Sequence, residues 1–397
     1  MTPHPPSSSS GLFGRPALTM TIVVAALAGI SLGGVAMANR GNQPGAPRWE
    51  QPPAAIVSTS PSPLSSATSA DGGQGTAITL SATGDIIMGS APNRLPANDG
   101  AGFFDSVRAA LKSDLVMGNL EQPLTEDTGS SKCGTPPRPN CFAFRSPPSY
   151  AGHLRDAGFE LVNTANNHSR DFGVAGFRNT VAALTGAALQ YTGVEDQITV
   201  VAVKGVKVGV IGFSPYAGAN NLNDLAHARA VVQRAKQRAD LVVVQAHMGA
   251  EGADEGHVRP GTETFFGENR GDPIAFSHAV VDAGADVVIG HGPHVLRGME
   301  FYRGKLIAYS LGNFAGGGHT LSTSGVLRYG GVLRVTITGD GRYVRGKFLS
   351  TYLNSAGVPT RDSADGEGRA LVASLSAADF GSTAARVGRD GSITTPG

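Results

Sequence analysis

Apolar residues arrive in two rhythms along this chain. Short unbroken runs rich in Val, Ile and Leu alternate, over the first two-thirds, with longer stretches in which apolar residues recur at helical spacing. The runs at 77–83, 115–117, 159–163, 241–244 and 287–289 read as strands. The stretches 103–113, 149–158, 173–188, 222–239 and 273–283 read as helices, with Gly158 as a stop signal. Residues 198–214 read as a hairpin with Lys204 and Gly205 in its turn. After His294 the pattern changes to hairpins, one turning at Gly339-Asp340-Gly341. Alternation followed by hairpins predicts an α/β protein whose sheets are covered by helices and mix strand directions towards the C-terminal side. The polar, Gly-rich stretch 248–270 is too long for a plain connection. The folded domain is expected over 76–354, with a weakly ordered tail at 355–397 holding at most one short helix.

Composition changes this picture at the N-terminus. Residues 17–38 carry no charge, are long enough to span a bilayer and end in Ala36-Met37-Ala38, a site of signal-peptidase type. A cleaved signal and an uncleaved anchor both fit the segment 1–38. Residues 39–75 are rich in Pro, Ser, Ala, Thr and Gly and read as a linker. The protein is therefore expected outside the cytoplasm, secreted or anchored by a single span, with membrane contact through 17–38 if that segment stays. A net charge of +1 over 397 residues gives no sign of a nucleic-acid partner. The two cysteines, Cys133 and Cys141, bracket a Pro-rich loop, and in an exported chain the simplest reading is a disulfide.

The chemistry is concentrated where strands end. Five apolar runs deliver polar groups at once: Asp85; Asn119 with Glu121; Asn167 with His168; His247; and His291 with His294. Each cluster taken alone also fits an ordinary turn or a satisfied core residue, and Asn119 reads first as a turn cap. In parallel α/β sheets, however, ligands collect at the carboxyl ends of strands, so five such ends would converge on one site. Carboxylate, carboxamide and imidazole without thiolate suit Mn, Zn or Fe better than Ca. Six ligands exceed the needs of one tetrahedral ion, which points to one or two divalent ions, the pair sharing a bridging carboxylate.

These residues lie in motifs that resemble a known family. GDIIMG (84–89), GNLEQPL (118–124), ANNHSRDFG (165–173), HMGAE (247–251) and GHGPHVLRGMEFYRGKLIAYSLGNF (290–314) look like those of the bacterial capsule-synthesis proteins of CapA type, associated with poly-γ-glutamate capsule. The resemblance covers roughly residues 78–353. That family is in turn similar to calcineurin-like metallophosphoesterases, which implies a four-layer α/β/β/α sandwich of two mixed sheets. It implies metal ligands at Asp85, Glu121, Asn167, His247, His291 and His294. His168 would aid the leaving group, oriented by Asp171, with Glu251 supporting the ligands. Read from position alone, Asn119 supports the ligands or caps its turn, and Arg297 holds substrate carboxylates or is an ordinary surface arginine. Phosphoesterases usually carry a histidine where this chain has Ile87, so one metal position lacks a ligand. Met248 and Gly292 also depart from the family pattern. The implied function is a metal-dependent hydrolase acting on an anionic polymer or phosphoester in capsule or envelope assembly, with a membrane capsule-synthesis complex as partner. The alternative is a non-catalytic, metal-containing subunit that binds the polymer.

Overall fold

The strand runs assemble into two large sheets. In the computed structural model residues 75–362 and 366–397 are described, and the segment 17–38 and the linker up to residue 74 lie outside them. Among the described residues the strands form a ten-stranded sheet, a seven-stranded sheet and a two-stranded ribbon. No described helix is long and apolar enough to cross a membrane.

The first sheet holds a parallel block. Asn313–Gly316, Ala77–Ile87, Leu115–Leu120, Leu161–Asn163 and Gln190–Thr192 lie side by side in the same direction. The antiparallel pair Tyr329–Thr338 and Tyr343–Leu353 extends this sheet beyond Ala77–Ile87. The second sheet has its own parallel block, Val206–Ser214, Leu241–His247, Val287–His291 and Lys305–Ala308. Antiparallel strands Thr199–Val203 and Met299–Tyr302 flank it. The hairpin turn falls on Lys204 and Gly205, both at positive φ (50° and 83°), as a tight two-residue turn demands.

Strand side chains alternate between faces, and that alternation builds three cores. Leu241, Val243, Val287 and Ile289 of the second sheet meet Ile78, Leu80, Leu115, Met117 and Leu161 of the first. The alternate residues, Val242, Val244 and Val288, face outward into a core with helices Leu225–Lys236 and Pro273–Asp282. On the far side of the first sheet, Val116 and Val162 pack with Tyr150, Leu154 and Leu184 of helices Tyr150–Ala157 and Gly173–Gly186. The packing order is helices, sheet, sheet, helices.

Helix boundaries follow local chemistry. Asp224 and Asp272 cap their helices by accepting the N–H groups of His227 and Ala275, each at 2.9 Å. Gly158 ends another at φ 104°. The helix expected over 103–113 is reduced to Arg108–Leu111, because Phe103, Phe104 and Val107 enter the outer core from turns instead.

The expectation of a weakly ordered tail after residue 354 is corrected. Glu367–Phe380 is a fourteen-residue helix. Val372, Ala385 and Ile393 belong to the core between the sheets. Ser392–Thr394 adds a strand beside Tyr343–Leu353. The small residues that made this segment look unstructured are what let it sit close. The Ser376 hydroxyl accepts the Met299 N–H at 2.8 Å. A Cβ on Gly298 would lie 2.9 Å from the Ser376 backbone.

Candidate metal centre

The polar residues occupy the same inward face as the apolar core, one step further along each strand. Leu241 and Val243 point between the sheets, so Gln245 and His247 do too; Val287 and Ile289 bring His291 with them. In the first sheet Leu115 and Met117 lead to Asn119, and Leu161 leads to Asn163. The registers align these positions into rungs. Asn313 pairs with Asp85, Asp85 with Asn119 and Asn119 with Asn163. Across the gap His291 pairs with His247. Both blocks of parallel strands thus deliver their last inward side chains to one edge.

Asp85 reaches this face by a different route. Ile78, Leu80 and Ala82 point inward, and strict alternation would turn residue 85 outward. The pairing with Leu115–Leu120 shifts register between Ala82 and Asp85. This bulge rephases the strand, so that Asp85 faces inward and Ile86 joins the outer core.

The centre is buried and short of partners. Asp85, Glu121 and His247 are 0% exposed, and each brings one ligand atom within 4.8 Å of the other two. His291 Nδ1 lies 3.9 Å from Asp85 Oδ1, and His294 Nδ1 lies 3.2 Å from Asp85 Oδ2. His294 Nε2 is 3.6 Å from Glu121 Oε1. Both Glu121 oxygens, Asn167 Oδ1 and His291 Nδ1 have no hydrogen-bond partner. Buried polar groups are nearly always satisfied, so four orphaned acceptors around one point fit a bound cation. Burial and the Asp85 charge push the Glu121 carboxyl well above its ordinary range. Burial opposes charge on His294, but Glu121, Asp85 and Glu251 outweigh it and raise the imidazolium to about 10. Burial holds His291 down at about 4. The carboxylates attract positive charge on His294, while burial keeps His247 and His291 as neutral imidazoles.

A carboxamide network holds the acids. Asn119 Nδ2 donates to Asp85 Oδ1 at 2.8 Å, and its Oδ1 accepts from Asn163 at 3.0 Å and from Asn166 at 3.1 Å. Asn313 Oδ1 lies 2.8 Å from His294 Nδ1, and Gln245 Oε1 lies 3.2 Å from His291 Nε2. The latter contact leaves His291 Nδ1 directed at Asp85. Asn119 thus orients a carboxylate as well as shaping a turn. Asn166, Asn313 and Gln245 stand in or beside the quoted motifs, but no pattern in the chain distinguishes them from turn or core residues.

At the rim, His168 Nδ1 lies 2.8 Å from Asp171 Oδ2, the pairing expected of an orienting acid. Burial lowers the His168 pKa despite Asp171. The loop closed by the Cys133–Cys141 disulfide brings Lys132 to the same place. Its Nζ lies 2.7 Å from Asp171 Oδ1 and 3.3 Å from His168 Nδ1. The sequence offered no reason to link that loop to the site.

Glu251 lies beside the centre, 3.8 Å from His294 Nε2 and paired at 2.6 Å with a buried guanidinium, Arg270. Arg270 was not foreseen, since it sits in a long loop outside every motif. Arg297 differs from its expected role. It is 0% exposed, forked onto Glu263 at 2.8 and 3.0 Å, and it also donates to the carbonyls of Ala250 and Glu255. It clamps the loop 248–270, spending four of its five N–H donors there.

A two-sheet α/β protein with an acid and imidazole centre between the sheets is the class that fold and site define. Residues 79–317 match the family model described as "Bacterial capsule synthesis protein PGA_cap", and the chain belongs to that family. It is 30% identical over 256 residues to the PGA biosynthesis protein CapA of Bacillus subtilis (strain 168), covering 60% of this chain and 63% of that one. It is 32% identical over 262 residues to the capsule biosynthesis protein CapA of Bacillus anthracis, covering 60% and 59%. The matched region therefore spans about three-fifths of those relatives. Among solved structures, the Haemophilus influenzae NAD nucleotidase is similar at a TM-score of 0.39 and 12% identity, covering 74% of this chain and 54% of that one.

Proposed function

We propose that this protein is a metal-dependent hydrolase of the metallophosphoesterase type, acting outside the cytoplasm in the assembly of an anionic envelope polymer of the poly-γ-glutamate kind. One observation carries the metal: the orphaned oxygens of Glu121 and the orphaned Nδ1 of His291, buried at a point where five strand ends meet. Family membership supports the polymer. Asp85, Glu121, Asn167, His247, His291 and His294 are the residues available to hold divalent metal of the Mn, Zn or Fe class. An ion there supplies Lewis acidity towards a phosphoryl or acyl oxygen.

The chain's own residues do the rest. Asn119, Gln245 and Asn313 fix the orientation of the ligands, as outer partners do in metal sites. Asp171 holds His168 by Nδ1, which leaves Nε2 to pass a proton to a departing oxygen. Lys132 pairs with the other Asp171 oxygen at 2.7 Å. The covered walls exclude bulk water, and Glu251 and His294, 15% and 12% exposed at their side chains, mark the opening. The segment 17–38 would hold the domain at the membrane, beside partners of a capsule-synthesis complex.

The test is metal content and turnover of the full chain. Bound Mn, Zn and Fe are measured, and phosphomonoester, phosphodiester and γ-glutamyl substrates are screened. Turnover that disappears in Asp85→Ala and His291→Ala is the expected result. Bound metal and polymer binding without turnover on any substrate would replace the hydrolase with a non-catalytic polymer-binding subunit. A chain that takes no metal would end both readings.

A further inference from the structure

Arg270 is the buried cation closest in chemistry to what the centre lacks, and the reading above leaves it without a role. It is 0% exposed and sits on the strand Glu268–Gly271 of the two-stranded ribbon. Its Nη2 donates towards His247 Nε2 at 3.2 Å, and its Nη1 donates to Glu251 Oε1 at 2.6 Å and to the Tyr216 hydroxyl at 2.9 Å. The guanidinium also stacks over the Tyr216 ring at 5.7 Å. Asn167 Nδ2 reaches the same Glu251 oxygen at 3.4 Å. Two candidate donors for a second ion, Asn167 and Glu251, are therefore gathered around a fixed positive group, with His247 Nε2 between that group and Glu121 Oε1 at 3.8 Å.

The other half of the centre has no such group. Asp85, Glu121 and His247 bring one ligand atom each within 4.8 Å of the others, and His294 Nδ1 and His291 Nδ1 lie 3.2 and 3.9 Å from Asp85 oxygens. Ligands about 2.0–2.2 Å from a single ion stand at roughly that separation. Charge points the same way. Asp85, Glu121 and Glu251 carry three negative charges when ionised, and Arg270 returns one positive. A single divalent ion neutralises the remainder, whereas two would leave a buried excess of positive charge, which is costly.

We infer that the guanidinium of Arg270 stands in place of a second metal ion, so that the centre takes one divalent ion per chain. This rests on the metal-centre reading above and deepens it. Arg270 is a positioning residue here: it holds His247 and Glu251 and supplies fixed charge. An arginine cannot be lost to a chelator, so one unit of the site's positive charge is permanent.

The test uses the full chain, stripped with chelator and reloaded with Mn(II). Metal analysis and electron paramagnetic resonance are read together. The wild type should take one ion and show the six-line spectrum of an isolated Mn(II). Arg270→Gln should take a second ion and show an exchange-coupled pair, and Arg270→Lys should return to one. Two coupled ions in the wild type would overturn the inference while leaving the metal centre intact, as would a folded Arg270→Gln that still takes one. If Arg270→Gln does not fold, the wild-type spectrum and stoichiometry decide the matter alone. No Mn(II) in the wild type would remove the metal centre itself.

Discussion

Gly84→Ala tests whether the bulge in the first strand is what places Asp85. A Cβ at this position would overlap the carbonyl oxygen of Gly312 and stand 2.8 Å from that of Leu311. Both obstacles are backbone, so no rotamer change relieves them. The Asp85 N–H donates to that same Gly312 oxygen at 3.0 Å, and parting the two segments weakens this bond. Losing one such bond costs about 1 kcal/mol, and overpacking a closed site costs about 1–3 kcal/mol more. A total near 3 kcal/mol is expected, which in a domain of this size lowers Tm by about 4–5 °C. Because Asp85 rides on the displaced segment, affinity for Mn(II) should fall in parallel, by about tenfold for each 1.4 kcal/mol transmitted to the site. Gly152→Ala is the control. Gly152 lies inside the helix Tyr150–Ala157, with nothing within 4 Å of the added methyl. That change should stabilise by about 0.5–1 kcal/mol. Urea unfolding and titration calorimetry read both variants. A Gly84→Ala protein within about 0.5 kcal/mol of wild type and with unchanged Mn(II) affinity would refute the argument.

Three further outcomes follow from other parts of the molecule. Arg297→Met leaves the half-buried Glu263 without its partner and should cost about 1.5–3 kcal/mol; urea unfolding at the level of a surface substitution would show that the clamp on the loop 248–270 is idle. Glu300 accepts from Tyr309 and Thr383 at 2.7 and 2.8 Å and pairs with His278 at 2.7 Å. Burial opposes its charge, but these partners prevail and hold its pKa below the ordinary 4.5. Its stabilisation is therefore full above pH 4.5 and fades as pH falls through the lowered folded value. Glu300→Gln should cost about 1–2 kcal/mol at neutral pH and progressively less in acid, and a penalty independent of pH would contradict that sign. With Mn(II) at about a hundred times its dissociation constant, chelation should remove ~2.7 kcal/mol of stability. Scanning calorimetry should show that fall in the wild type and none in Asp85→Asn, and an unchanged wild-type Tm would argue against a resident ion.

What could be read in the chain, and what could not, divides along one physical line. Period-two and period-3.6 patterns are local, so the strands ending at Asn119, Asn163, His247 and His291 were legible, and so was their delivery of donors to one edge. The α/β class followed from the order of those patterns. The tail misled because burial of Val372 and Ile393 depends on small neighbours that permit close approach, and composition alone reads small and polar as unstructured. Asp85 stands within ligand reach of Glu121 and His247, but on strict alternation it would have pointed away from them. Only the shift of register after Ala82 turns it inward, and that shift depends on Gly312, more than two hundred residues further along.

Long-range charge is the least local quantity of all, and there the sequence was silent. Arg270 and Arg297 are two arginines from the same third of the chain, and neither carries a motif that states its role. Each is fully buried and each is answered by a glutamate from the loop 248–270 or its borders, Glu251 for one and Glu263 for the other. Arg297 stands three residues after His294, and its fork on Glu263 makes it a fastener of the loop. Arg270 looked like loop; its hydrogen bond to His247 puts it at the centre. A loop that seemed too long for a connection is thus fixed at both ends by ion pairs, and one of those pairs reaches the metal ligands. The same loop sets both the shape of the site's wall and the charge at its centre. A change of sequence in 248–270 would therefore alter metal content before it altered the fold, since the sheets and their inward rungs are built without it.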